Sequence, residues 1–177
     1  MLFENWGASP EEAASPVVGD ELCPTARMIA TRCITLAAPP ADVYPWLRQM
    51  GFGRAGWYSY DWLDNLGRRS ATSINPDWQD VETGSRVPAG PMSFDAAIVE
   101  PPGAFVLRVG TGDMTKRRVQ FTLAYELRPV PDGTRLVTRV RIRLNVPGGR
   151  LFERFVLGPG DGLMVRKQLL NLRARLS

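Results

Sequence analysis

Histidine is absent from this sequence of 177 residues. Because histidine is the commonest general base near neutral pH and the commonest metal ligand, its absence excludes the catalytic triads that depend on it. Only two cysteines are present, Cys23 and Cys33, which are too few for a structural zinc site. We therefore expect no metal ion and no cofactor, and we expect both cysteines to be reduced thiols.

Targeting segments and long apolar runs are also missing. The first residues show no basic stretch followed by an apolar one, as a signal peptide would require. No run reaches the roughly 18 apolar residues of a membrane span. These absences predict a cytoplasmic protein. The hydrophobic content of 44% is typical of a globular chain. Residues 1–27, rich in Pro, Ala and Glu, are interpreted as an N-terminal extension, and residues 28–177 as one domain.

Charge is distributed unevenly along the chain, whose net charge is +4. The first 26 residues contain acidic side chains and no lysine or arginine, whereas the part from Thr134 onward is strongly basic. Arginines at alternate positions, Arg135, Arg139, Arg141 and Arg143, predict a basic stripe on the outer face of a strand. This stripe is interpreted as a solvated face, and the alternatives are a weak contact with an anionic membrane and an interaction module on which an acidic partner docks. Aromatic residues are not interleaved there, so we expect no nucleic-acid partner.

Four helices are predicted. Val43, Trp46 and Met50 recur at helical spacing in "APPADVYPWLRQMG", and Gly51 would end that helix. The segment "SYDWLDNLG" predicts a second short helix, capped by Ser59, with Trp62, Leu63 and Leu66 on its inner face. A short helix ending at Gly158 is expected next, and Pro159 and Gly160 should separate it from a final helix capped by Asp161.

Strand patterns fill most of the remaining sequence. A first strand is predicted over residues 28–37, with Arg32 on its otherwise apolar face. Further strands are predicted in "GSRVP", "MSFDAAIVEPPG", "AFVLRVG", "RVQFTLAYELRPV" and "TRLVTRVRIRLNV". The strict alternation in the last two predicts an antiparallel sheet with one covered and one solvent-exposed face. Strands segregated from helices indicate an α+β fold, with the last helix covering the sheet.

This layout resembles the START-like, or SRPBCC, superfamily of polyketide cyclase/dehydrase-like helix-grip proteins. The resemblance is carried by "ITLAAPPADVYPWLRQMGFGRAGWYSYDWLDNLG", "INPDWQDVETGSRVP" and "GPGDGLMVRKQLLNLRAR", and extends to a bacterial subgroup of mostly uncharacterised proteins. It implies a curved antiparallel sheet of about six or seven strands. Two short helices and a long C-terminal helix would enclose a cavity with it. The superfamily hosts binding proteins, carriers, cyclases and antitoxins on this one scaffold.

The aromatic stretch "GFGRAGWYSYDWLDNLG" would close one end of such a cavity. Large rings with polar tips suit a pocket for a bulky apolar molecule, although they could equally fill a solid core. Arg54 could form an ion pair with Asp61 or Asp64, or contact a ligand. The residues expected to bind ligand are Trp46, Arg54, Trp57, Tyr58, Tyr60, Trp62, Trp78, Phe94, Phe105, Phe121 and Tyr125.

The favoured function is binding of a hydrophobic small molecule, such as a lipid, an isoprenoid or a polyketide, without catalysis. The alternative is an aromatase/cyclase-type enzyme that acts on a polyketide-like substrate. Without histidine, its acid–base groups would be drawn from Arg54, Tyr60, Asp95 and Tyr125, but these form no known catalytic constellation. Otherwise Asp95 is expected to face water. The sequence is compatible with either a monomer or a homodimer.

Overall fold

Six antiparallel strands form one sheet in the computed structural model, which describes residues 4–109, 118–153 and 157–177. The strand order is β1-β6-β5-β4-β3-β2, so the first strand pairs with the last. The strands are β1 (Met28–Leu36), β2 (Arg86–Ala89), β3 (Met92–Glu100), β4 (Ala104–Arg108), β5 (Val119–Val130) and β6 (Gly133–Leu144). A β-bulge between Ala96 and Ile98 interrupts the register of β3 with β4 and bends the strand.

Five α-helices accompany the sheet in the described residues. They are α1 (Pro10–Ala14), α2 (Pro40–Arg48), α3 (Asp61–Asp64), α4 (Gly149–Phe152) and α5 (Gly158–Arg175). The long helix α5 packs across the sheet and contacts β1. The predicted α+β class and helix-grip arrangement are therefore confirmed. Gly110, which ends one predicted strand, and residues 154–156 of the predicted helix before Gly158 lie outside the described residues.

The last helix begins earlier than the sequence predicts. Pro159 lies in the first turn of α5, where its missing N–H group leaves no intrahelical hydrogen bond unmade. The predicted break at Pro159 and Gly160 is therefore wrong. Asp161 does not cap the helix, because its carboxylate pairs instead with the Arg32 guanidinium at 2.7 Å.

Helix α3 is a single turn without the predicted inner face. The Ser59 hydroxyl donates to the backbone carbonyl of Met164 on α5 at 3.0 Å, so it does not cap α3. Leu66 adopts a left-handed φ of 50°, which ends the helical path soon after its start. Trp62 and Leu66 are 72% and 76% exposed, so their predicted burial is wrong.

The alternation predicted for β5 and β6 is confirmed. Leu123, Tyr125 and Leu127 on β5 share the main core with Val140 and Ile142 on β6. The antiparallel register places Leu123 opposite Val140. Side chains at alternate positions therefore face α5, and the intervening ones face the other side of the sheet.

That other side is covered by the N-terminal segment, residues 4–27, and is not the solvent-exposed face that the sequence predicts. Val17 packs in a second apolar cluster with Val106 and Val137. Arg139 is only 3% exposed and donates to the carboxylate of Asp20 at 2.8 Å. The prediction of a solvent-exposed basic stripe is therefore wrong at Arg139, because the acidic N-terminal segment covers and neutralises this side chain.

Asp95 is also buried, although the sequence led us to expect it in water. It lies on β3 opposite Arg86 of β2 and Arg108 of β4 in the strand register. A carboxylate between two guanidinium-bearing positions can leave water at a lower cost than an isolated one.

Candidate functional site

A cavity of about 640 Å³ lies between the sheet, α3 and α5. This volume falls within the range of small-molecule pockets, roughly 300 to 1,000 Å³. Most of the lining side chains are apolar. The lining residues are Phe52, Trp57, Ser59, Leu63, Asp64, Leu66, Ala89, Gly90, Pro91, Met92, Phe94, Phe121, Leu123, Asp161, Met164, Val165 and Gln168.

Three aromatic rings form one continuous wall of this cavity. Trp57 meets Phe94 edge-on, with ring centroids 5.6 Å apart and planes at 90°. Phe94 in turn stacks on Phe121 at 5.3 Å and 20°. The sequence predicted all three as ligand-binding residues, and the structure brings them together from a loop, β3 and β5.

Four other predicted residues lie behind the wall in the core. Trp46 and Tyr58 pack edge-to-face at 5.9 Å, and the Tyr58 hydroxyl donates to the Trp46 carbonyl. Phe105 is fully buried on β4. The hydroxyl of Tyr125 donates to the side-chain oxygen of Gln168 at 2.8 Å, one layer behind the cavity surface. None of these four lines the cavity, and their contact with a ligand stays a prediction.

The remaining four predicted residues lie away from the cavity surface. Arg54 donates to the Trp78 carbonyl at 2.6 Å and lies 3.6 Å from the carboxylate of Asp80, so its acidic partner is neither Asp61 nor Asp64. Tyr60 precedes the first turn of α3, and Trp62 projects into solvent. Arg54 therefore contacts the Trp78 carbonyl and the Asp80 carboxylate and does not reach the cavity.

Several lining residues were missed in the sequence, above all those on α5. Asp161, Met164, Val165 and Gln168 follow each other at the spacing of one helix face and all line the cavity. That spacing was a usable signal, because Met164, Val165 and Gln168 all lie within the predicted final helix. The turn between β2 and β3, including Pro91 and Met92, also lines the cavity and has no such periodicity.

An ion pair lies in the wall between β1 and α5. Arg32 is fully buried and contacts Asp161 at 2.7 Å. Burial raises the pKa of Asp161 above its ordinary value, while the Arg32 guanidinium acts in the opposite direction. The charge that looked anomalous on the first strand's apolar face is thus paired across the core.

Asp64 differs from the other polar groups of the wall. Both of its carboxylate oxygens are buried, and the only described donors that act on them are the backbone N–H groups of Tyr60 and Asp64, which lower its pKa. Burial, together with the nearby Asp61 carboxylate, raises the pKa of Asp64 to about 6. Asp61 itself accepts hydrogen bonds from the backbone N–H and the hydroxyl of Ser70.

The candidate acid–base residues are not assembled into one site. Arg54, Tyr60, Asp95 and Tyr125 all lie off the cavity surface, and burial strongly raises the pKa of the Tyr125 phenol. Within residues 4–109, 118–153 and 157–177, no group of three or more Cys, Asp and Glu side chains is arranged to hold a metal ion. The geometry therefore offers enclosure and apolar contact more clearly than acid–base chemistry.

Comparisons with known proteins identify relatives of the fold. The chain is similar to the crystal structure of a protein from Mesorhizobium loti: the two are 14% identical, the match covers 84% of this chain and 96% of that one, and the TM-score is 0.52. It is also similar to the crystal structure of a protein from Rhodobacter sphaeroides, with 17% identity, coverage of 84% of this chain and 91% of that one, and a TM-score of 0.50. A polyketide cyclase-like protein from Corynebacterium glutamicum, with 16% identity over 84% and 88%, has a TM-score of 0.40.

At these identities the likeness shows the fold alone. No protein-family profile and no curated protein matches the chain. None of the helices in the described ranges has the length and apolar content to cross a membrane.

Proposed function

We propose that this protein binds a hydrophobic small molecule, such as a lipid, an isoprenoid or a polyketide, in the cavity under α5. The observation that carries this proposal is the cavity of about 640 Å³ with its wall of stacked rings. Protein interiors normally pack as densely as organic crystals, because unfilled space forfeits dispersion contacts. A large apolar hollow beside otherwise buried rings is therefore better explained by an occupant than by packing.

The side chains at the mouth of the cavity are further support for an apolar ligand. Leu63, Leu66 and Met92 all line the cavity and are all exposed to solvent. Trp62, adjacent to Leu63 on α3, is exposed as well. Exposed apolar side chains grouped at one opening are typical of ligand-binding grooves and of membrane contacts. A weak contact with an anionic membrane is also proposed, because the exposed Arg68 and Arg69 follow the lining residue Leu66 closely in the sequence.

Binding is favoured over catalysis because the expected acid–base residues do not line the cavity. The aromatase/cyclase alternative would depend on Asp64, whose raised pKa of about 6 suits a general base. Incubation with a poly-β-ketone mimic tests that alternative: altered cyclisation products that disappear in Asp64→Asn would support it, and unchanged products would exclude it.

We also propose a cytoplasmic location, which the state of the cysteines supports. Cys23 and Cys33 are both buried free thiols. Burial raises the pKa of Cys33 to about 11, so this thiol is poorly reactive. Fractionation of the native organism would test the location.

The binding proposal is tested by filling the cavity from α5. Met164 lines the cavity, whereas its neighbour Leu163 is exposed and does not. We expect fatty acids, isoprenoids or polyketides to raise the melting temperature of the wild type and of Leu163→Trp, but not of Met164→Trp. Native mass spectrometry of the purified protein provides a second measurement. No thermal shift across the panel and no co-purified molecule would overturn the proposal.

A further inference from the structure

One short segment, residues 61–70, presents three large apolar side chains to solvent. We call it the α3 loop. Trp62 is 72% exposed, and Leu63 and Leu66 are each exposed by more than half. Leu63 and Leu66 also line the cavity, together with the exposed Met92 from the turn between β2 and β3. A group of exposed apolar side chains marks a contact site, because such a patch is costly in water.

The α3 loop is held in shape by its own polar groups. Asp61 accepts from the backbone N–H and the hydroxyl of Ser70, and its carbonyl accepts from the N–H of Gly67 at 2.7 Å. The buried Asn65 side chain donates to the carbonyl of Arg68 at 2.9 Å. These bonds bring the two ends of the segment together. Asp61 and Asn65 are thus engaged within the protein while the large apolar side chains face solvent, which is the reverse of what water alone favours.

The exposed charge of the α3 loop is positive. Arg68 and Arg69 are both exposed. Of the two acidic side chains, Asp61 is bound by Ser70, and the carboxylate oxygens of Asp64 are buried. An anionic surface therefore complements this loop, since each arginine close to such a surface adds electrostatic attraction.

A lipid bilayer fits the α3 loop better than a protein partner does. Three side chains of this size offer on the order of 400 Å², whereas a stable protein interface takes about 800 Å² from each partner. The residue types also agree with a bilayer, because tryptophan and leucine enter the headgroup and acyl boundary while arginine remains at the phosphate groups.

We propose that the α3 loop docks the protein on an anionic lipid bilayer, with its apolar side chains inserted among the headgroups and Arg68 and Arg69 against the phosphates. This inference rests on the proposed function and names the partner of the cavity mouth. It goes beyond a weak electrostatic contact, because inserted apolar side chains hold in salt. Since Leu63 and Leu66 also line the cavity, docking brings its mouth to the phase in which an apolar ligand dissolves.

The experiment measures co-sedimentation of the full chain with vesicles of phosphatidylcholine and phosphatidylserine, and with vesicles of phosphatidylcholine alone. Trp62→Ala should lower the partition coefficient for both vesicles at least about tenfold, as the loss of one inserted ring would. The double variant Arg68→Gln with Arg69→Gln should lower only the partition coefficient for the anionic vesicles, at least about fivefold. Added salt should weaken the binding of the wild type to anionic vesicles without abolishing it.

Leu151→Ala is the matched control, because Leu151 is 65% exposed on α4 and does not line the cavity. It should bind both vesicles as the wild type does. Failure of the wild type to bind, or equal binding by Trp62→Ala, would overturn the inference. Sedimentation velocity without vesicles tests a second copy as the occupant: a dimer that Trp62→Ala dissociates would also overturn it. Ligand-induced thermal shifts without vesicle binding would overturn this inference alone and leave the proposed function standing.

Discussion

At the scale of single residues, two tryptophans in one segment have opposite roles. Trp57 is 9% exposed and packs against Phe94, whereas Trp62 is 72% exposed. The sequence treats them alike, as ligand-binding rings a few residues apart. The difference arises because the chain enters the one-turn helix α3 between them, so that the first ring points to the core and the second to solvent.

This contrast leads to a stability prediction. Trp57→Ala should lower the free energy of unfolding by roughly 3 to 5 kcal/mol, as is typical when a buried ring is removed. Trp62→Ala, the matched variant, should stay within about 0.5 kcal/mol of the wild type. Urea denaturation followed by far-UV circular dichroism measures both. Similar losses in the two variants would show that Trp62 is buried in solution.

At the scale of elements, one ion pair joins the first strand to the last helix. Arg32 of β1 and Asp161 of α5 are far apart in sequence and meet at 2.7 Å in the core. Two charges taken out of water seldom stabilise a fold by themselves, but the removal of one partner leaves the other poorly compensated. The pair therefore fixes the position of α5 on the sheet and adds little net free energy of unfolding.

A double-mutant cycle tests this role. Asp161→Leu should lower the free energy of unfolding by roughly 3 to 5 kcal/mol, because a buried guanidinium loses its carboxylate. The double variant Arg32→Met with Asp161→Leu should recover most of that loss. Equilibrium denaturation of the wild type, both single variants and the double variant gives the coupling energy. If the two single losses simply add, the pair is not energetically coupled.

At the scale of the whole molecule, the sheet is covered on both faces, by α5 on one side and by the N-terminal segment on the other. The segment contributes more than apolar contact. Arg139 donates to the carbonyls of Ser15 and Ala13 and to Asp20, and Arg135 pairs with Glu12 at 2.7 Å. The Arg135 hydrogen bond lowers the pKa of Glu12 to about 2. Residues 4–27 thus cover β6 and supply acceptors to its arginines.

Deletion of residues 1–27 tests the proposed division of the chain. The deleted protein should lose at least about 3 kcal/mol of unfolding free energy, because Arg139 loses its acceptors and the second apolar cluster is opened. It should also gain binding to anionic vesicles that weakens with salt, since the basic stripe becomes accessible. Denaturation and vesicle co-sedimentation measure these effects against the full chain. An unchanged stability would show that the segment is a dispensable extension.

Much of the architecture was predictable, because it depends on local periodicity. The alternation in β5 and β6 fixed two strands and their inner faces, and the helical spacing of Val43, Trp46 and Leu47 predicted α2. The cover on the outer face was not predictable, since an acidic segment near residue 12 and an arginine near residue 139 show no relation in a linear pattern. Such pairings depend on register and distance in three dimensions.

The candidate site was less predictable than the fold for a related reason. Aromatic residues indicate a buried or ligand-binding surface, but only the placement of loops decides which rings reach the hollow, as Trp57 does and Trp46 does not. The burial of the Asp64 carboxylate had no signal at all. That burial depends on how α3 packs in three dimensions, which composition and spacing do not record.

The strand order has a consequence for how the chain is made. Because Met28 lies opposite Ile142, the first strand cannot pair with its neighbour until β6 has also been synthesised. The helix that roofs the hollow is synthesised later still. Topologies with such distant pairings fold slowly, over milliseconds to seconds. A fragment that lacks β6 and α5 therefore has neither the neighbour of β1 nor the helix that covers the cavity.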